Sequence, residues 1–131
     1  MTELTKILHI EDDPEILQIT GMALELVGGF TIQQADRGEK ALGIFREFGP
    51  QLILSDVQMP GLTGPETVAQ IRQTPGWENV PAVFLTARLM DGGAGLLVHP
   101  RDLAVVPKPF DPATLSDELR RIWSEAEAKA A

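Results

Sequence analysis

Five short apolar runs recur along the chain, and helical periodicity fills the stretches between most of them. The first run, residues 7–10, ends at Glu11-Asp12-Asp13. The stretch after it has Asp13-Pro14 as cap and first-turn proline, and Ile16, Ile19, Ala23, Leu26 and Val27 as its expected inward stripe. Gly28-Gly29 stops it. Residues 30–33 alternate as a strand does, and residues 39–48 read as a helix with Ala41, Leu42, Phe45 and Phe48 inward. Leu52, Ile53 and Leu54 make a buried strand that ends at Ser55-Asp56. Pro60, Gly61 and Gly64 mark a turn before a helix near 65–73. Residues 80–86 and 103–106 are the fourth and fifth strands. Asp111-Pro112 opens a last helix with the stripe Leu115, Leu119, Ile122 and Trp123.

Strands alternating with helices imply a parallel sheet covered on both faces. Right-handed crossovers leave few topologies, and the doubly wound order 2-1-3-4-5 is the natural one. The expected fold class is therefore α/β, a doubly wound five-stranded parallel sheet. In such a sheet the site lies at the carboxyl ends of the strands, beside the switch point between strands 1 and 3. The residues there are Glu11, Asp12 and Asp13 after strand 1, Asp56 after strand 3, Thr86 after strand 4 and Lys108 after strand 5.

Carboxylates gathered at one sheet edge repel one another, and a bound divalent cation removes that repulsion. Oxygen donors, no cysteine and only two histidines favour Mg²⁺ over Zn²⁺. A carboxylate beside such an ion is a nucleophile toward phosphorus, and a lysine neutralises charge on the transferring group. Asp56, Lys108 and the Thr86 hydroxyl meet those needs. Taken singly, each has a plainer reading: a cap, a turn residue, a surface lysine, a strand-end hydroxyl. Their joint placement at one edge makes the functional reading. His9 inside strand 1 reads as a packed strand residue, and nothing near His99 completes a metal set.

Charge narrows the partners. Lysine and arginine number 11 against 19 aspartates and glutamates, a formal net charge of −8. That argues against a nucleic-acid binder and against docking on anionic lipid. No apolar run approaches the ~20 residues of a membrane span, and the N-terminus lacks the layout of a signal peptide, so a cytoplasmic domain is expected.

Four segments together resemble the receiver domain of bacterial two-component response regulators: Ile7-Leu8-His9-Ile10-Glu11-Asp12-Asp13-Pro14, Leu52-Ile53-Leu54-Ser55-Asp56-Val57-Gln58-Met59-Pro60-Gly61, Phe84-Leu85-Thr86-Ala87 and Pro107-Lys108-Pro109-Phe110. The resemblance runs from Lys6 to about Trp123. It implies a flavodoxin-like receiver fold over residues 1–124, with 125–131 a helical or frayed tail. It implies Asp56 as phosphoacceptor and a Mg²⁺ site of Glu11, Asp12, Asp56 and the Gln58 carbonyl. Thr86 and Lys108 would hold the phosphoryl group, with Ala87 and Pro109 supporting them. The implied partners are a sensor histidine kinase or histidine phosphotransfer protein and a downstream protein effector. Receivers pair through helices 1 and 5 or the helix 4–5 face, so the resemblance leaves a homodimer open. A receiver has no external substrate to turn over, so the resemblance does not imply an enzyme.

Two features depart from the family pattern. Val105 stands where many receivers carry an aromatic switch residue three positions before the lysine. The stretch where a fourth helix belongs, residues 90–100, holds Gly92, Gly93 and Gly95, each costing a helix about 1 kcal/mol, and ends at Pro100. A weak or irregular fourth helix is expected, suited to rearrangement when Asp56 is phosphorylated. Two other classes of function compete with the receiver reading. A Mg²⁺-dependent phosphohydrolase with Asp56 as nucleophile would want an acid at position 58, which is Gln58. A pseudo-receiver acting purely as an interaction module would not need the full set of acids, threonine and lysine.

Overall fold

The computed structural model describes residues 2–87 and 95–130. The chain runs β1 (Lys6–Ile10), α1 (Pro14–Met22), β2 (Thr31–Ala35), α2 (Gly38–Phe48), β3 (Leu52–Asp56), α3 (Gly64–Arg72), β4 (Ala82–Thr86), β5 (Asp102–Pro107) and α4 (Leu115–Ala130). The strands form one sheet in the order β2-β1-β3-β4-β5 with every pairing parallel, the doubly wound arrangement expected from the alternation.

Side chains that alternate along each strand build two cores. Ile7, Leu52, Leu54, Val83 and Leu85 face one side, under Leu24 and the α4 stripe Leu115, Leu119, Ile122 and Trp123. Leu8, Ile10, Ile53, Ala82 and Phe84 face the other, under Ala41 and Phe45 of α2 and Val68 and Ile71 of α3. β3 and β4 are buried along their whole length, as inner strands of a doubly covered sheet must be. Local chemistry sets the helix starts. Asp13 accepts from the Glu15 and Ile16 N–H groups ahead of Pro14, and Thr63 and Glu66 close a capping box at α3. α4 runs on through residues 125–130 without a break.

The inward stripe of the first helix departs from expectation. Of its five residues only Ala23 is buried; Ile16 is half-buried, and Ile19, Leu26 and Val27 are exposed. Thr20, Gly21, Ala23 and Leu24 face the sheet instead. There are two physical causes. The helix widens into a π-helical turn at Ala23–Val27, which rotates the residues of its last turn relative to the first two. The surface beneath it is also polar. The Gln34 amide contacts His9 Nδ1 at 3.0 Å, donates to the Leu17 carbonyl at 2.8 Å, and occupies the room that a side chain at Gly21 would need.

Of the stretch expected to hold a weak fourth helix, residues 90–94 lie outside the described residues. From residue 95 the chain makes a short 3₁₀ turn and reaches β5 through a turn at His99 and Pro100. β5 enters the sheet with a register shift: Ala82 faces Asp102, but Val83 faces Ala104. The extra residue is Leu103, a bulge that leaves Asp102 buried.

Candidate functional site

The carboxyl ends of β1, β3, β4 and β5 deliver their residues to one place. Glu11 follows β1, Asp56 ends β3, Thr86 ends β4 and Lys108 follows β5. Lys108 Nζ lies 2.8 Å from Glu11 Oε1 and 3.3 Å from Asp56 Oδ1. One carboxylate oxygen each from Glu11, Asp12 and Asp56 fall within 4.8 Å of one another. The Lys108 N–H donates to the Thr86 carbonyl at 2.8 Å, which ties the β5 end to the β4 end. Glu11, Asp56 and Thr86 are buried, and Lys108 is half-buried.

Electrostatics in this cleft are unbalanced, with two carboxylates on one ammonium and a third carboxylate, Asp12, beside them. Burial pushes the Asp56 carboxyl above its usual range; Lys108 pulls it back only in part, and the Asp12 charge adds to the rise. Burial likewise raises Glu11 against its hydrogen bond from Lys108, with the Asp56 charge adding to the rise. Burial would lower Lys108, but its bonds and charge contacts with Glu11 and Asp56 together outweigh that and raise it. Glu11 is further committed on its second oxygen, which accepts the Asp13 N–H at 3.2 Å.

The donor set fits a small hard cation. Its atoms are all oxygens, and their charge exceeds that of the lysine. Glu11, Asp12 and Asp56 would hold such an ion. Gln58 is exposed in the turn after β3. Ala87 is exposed just past Thr86, and Val105 is half-buried against the α2–α3 core. The Lys108-Pro109 peptide bond is cis.

Two further residues shape the site and were not among the sequence candidates. The Ser55 hydroxyl donates to the Asp56 carbonyl at 2.8 Å. Gly64, the first residue of α3, packs so closely on the Asp56 carbonyl that a Cβ there would collide with it. Its N–H donates to the Val57 carbonyl at 2.9 Å, which folds the turn back under the acid. Thr63-Gly64-Pro65-Glu66 shows a helix start in the sequence, but nothing in it shows which backbone that start presses against.

The comparisons agree with this geometry. The family model for the response regulator receiver domain matches residues 7–120. Response regulator Rre1 of Synechocystis sp. is 28% identical over 130 residues, covering 99% of this chain and 56% of that protein. A transcriptional regulatory protein CpxR homolog of Haemophilus influenzae is 36% identical over 121 residues, covering 91% of this chain and 50% of that protein. The chain thus spans about half the length of these curated relatives. The crystal structure of the chemotaxis response regulator CheY4 of Vibrio cholerae superposes with a TM-score of 0.77 at 28% identity, covering 91% of this chain and 98% of that one. A CheY-like receiver domain from Methanospirillum hungatei shares the fold with a TM-score of 0.80 at 21% identity, covering 97% and 99%. With the motif-bearing strand ends gathered around one acidic cleft and the family model matching nearly the whole chain, this protein belongs to the response regulator receiver domain family of two-component signalling.

Proposed function

We propose that Asp56 is the phosphoacceptor of this receiver and takes its phosphoryl group from a phosphohistidine on a sensor kinase or phosphotransfer protein. The supporting observation is the surplus of negative charge: Lys108 pairs with the buried Glu11 and Asp56, and the more exposed Asp12 carboxylate joins their cluster, a balance that a divalent cation would correct. One Asp56 carboxylate oxygen attacks phosphorus, the P–N bond breaks, and the imidazole leaves with the electron pair and takes up a proton. Glu11, Asp12, Asp56 and the Gln58 carbonyl would hold Mg²⁺, which would supply positive charge against the transferring oxygens. Lys108 turns from its Glu11 contact toward the new dianion, and the Thr86 hydroxyl donates to it. The acyl phosphate adds about −1.5 to −2 charge where the cleft held one carboxylate. That charge draws the Thr86 and Lys108 side chains toward Asp56.

Output is a change in protein binding rather than turnover of a substrate, and the setting is the cytoplasm. Among the described residues no helix is long and apolar enough to cross a membrane. The formal charge of −8 disfavours direct nucleic-acid contact by this domain.

Incubation with Mg²⁺ and acetyl phosphate tests the reading. Intact mass should show one phosphoryl group on the native chain and none on Asp56→Asn, and chelation should prevent it. Labelling of Asp56→Asn to the native level, or steady release of phosphate from a small ester, would overturn it.

A further inference from the structure

α1 ends in a register that its own sequence does not favour. Continued as an α-helix beyond Met22, it would place Val27 over the sheet, at the i+7, i+4 and i+3 positions from the buried Thr20, Ala23 and Leu24. The wider π-helical turn puts Gly28 there instead. Gly28 is buried, its N–H donates to the Ala23 carbonyl at 3.0 Å, and Val27 is left 65% exposed. The packing beneath is not fully satisfied either. Thr20 Oγ1 and His9 Nε2 are buried with no hydrogen-bond partner among the described residues.

α4 holds the π register in place. The buried Ser116 hydroxyl donates to the Ala23 carbonyl at 3.2 Å. Arg120 donates to the Gly28 carbonyl and stacks over the Phe30 ring at 4.3 Å. Gly28 lies so close to Ser116 that a Cβ on it would collide with the hydroxyl. This seat therefore takes a glycine, and Val27 fits it only when α4 moves outward. We propose that the end of α1 is a two-register latch. In one register Gly28 sits on Ser116 and Val27 is at the surface. In the other the turn is α-helical, Val27 is in the core and the first turn of α4 stands away. The exchange trades the Ser116 and Arg120 bonds for burial of Val27, quantities of the same order. The place of α4 and the surface of α1 are thereby coupled: whatever binds one register of α1 moves α4, and whatever displaces α4 draws Val27 in.

NMR of the methyl-labelled full chain with a soluble paramagnetic agent tests this. In the native chain the Val27 methyls should relax like those of Val98, which is 83% exposed, and unlike those of the buried Val83. Gly28 has right-handed helical backbone angles, φ −83° and ψ −24°, so alanine is excluded there only by its contacts in this register. Gly28→Ala should therefore bring the Val27 methyls to the Val83 level. Ser116→Ala, which removes the hydroxyl bond to Ala23, should move them in the same direction. Val27→Asp closes the second register, so Gly28→Ala should lower the folding equilibrium constant at least about ten-fold more in that background than in the native one. Val27 methyls that stay at the Val98 level in Ser116→Ala and in a folded Gly28→Ala chain overturn the proposal, and so does an equal cost of Gly28→Ala in the two backgrounds. If Gly28→Ala does not fold, the Ser116→Ala signal decides alone.

Discussion

Two buried charge clusters sit at opposite ends of the sheet, and only one is balanced. At the start of β5, Arg72 Nη1 lies 2.7 Å from Asp102 Oδ1. Arg72 also donates twice to the Val80 carbonyl, at 2.9 and 3.1 Å. The other Asp102 oxygen accepts the Val98 and His99 N–H groups at 3.2 and 3.0 Å. One cation meets one anion there, and their remaining bonds go to backbone. At the carboxyl end Lys108 pairs with Glu11 and Asp56, and the Asp12 carboxylate adds a further negative charge to the cluster. The paired residues Arg72, Asp102, Lys108, Glu11 and Asp56 are similarly buried, so burial alone does not distinguish a structural ion pair from a ligand site. The uncompensated charge does.

The largest expected effect falls on the balanced cluster. Arg72→Met leaves Asp102 buried without its cation, and denaturant unfolding should show a loss of about 3–5 kcal/mol. Asp102→Leu added to it should recover most of that loss. Mg²⁺ should not alter the difference. If Mg²⁺ rescued Arg72→Met, the two clusters would not be different in kind.

Lys108→Met should cost less without metal, about 1–3 kcal/mol, and Mg²⁺ should restore stability by replacing the lost positive charge. Calorimetry with and without Mg²⁺ checks this. Loss of phosphorylation with stability restored would separate the lysine's chemical role from its structural one.

A third prediction uses pH. Burial, with a smaller contribution from the Lys108 charge, lowers His9 to about 3, so it stays neutral in the fold while the unfolded chain protonates near 6.5. Its contribution is complete above pH 6.5 and is lost as pH falls toward about 3, by up to about 1.4 kcal/mol per pH unit. The raised Asp56 and Glu11 act in the opposite sense, costing stability as pH rises through their folded values. Subtracting the stability–pH curve of His9→Gln from that of the native chain isolates the histidine. A flat difference between pH 4 and 6.5 would mean His9 is not held neutral.

The smallest effect sharpens the unbalanced site. Asp56→Asn removes one of the repelling carboxylates and should raise metal-free stability at neutral pH by about 1 kcal/mol, the Coulomb energy of two unit charges 4 Å apart in water. Mg²⁺ should stabilise the native chain and have little effect on this variant. Urea midpoints measured with chelator and with Mg²⁺ resolve both.

Much of this molecule is local in origin. Short apolar runs make strands, and Asp13-Pro14 and Thr63-Gly64-Pro65-Glu66 start helices from within their own segments. Parallel connectivity and handedness then leave few ways to order five strands. The same rule brings Glu11, Asp12, Asp56, Thr86 and Lys108 to one edge, because each follows or ends a strand whose direction is already set. That part of the site could be read from spacing.

The features that could not be read from the chain alone depend on contacts between distant segments. Helical periodicity put Leu26 and Val27 inside; the π-helical turn and the His9–Gln34 pair beneath α1 turned them out. Arg72 and Asp102 look like surface charges in sequence and become partners only when the β5 bulge sets Asp102 against α3. Gly64 is a turn residue until the Asp56 carbonyl packs on it. The amino-acid order decides which segments form and which way they run, since those are short-range energies. Which faces pack together, which charges find partners and which are left without one are decided by tertiary structure, because burial sets the electrostatic cost of every unpaired group.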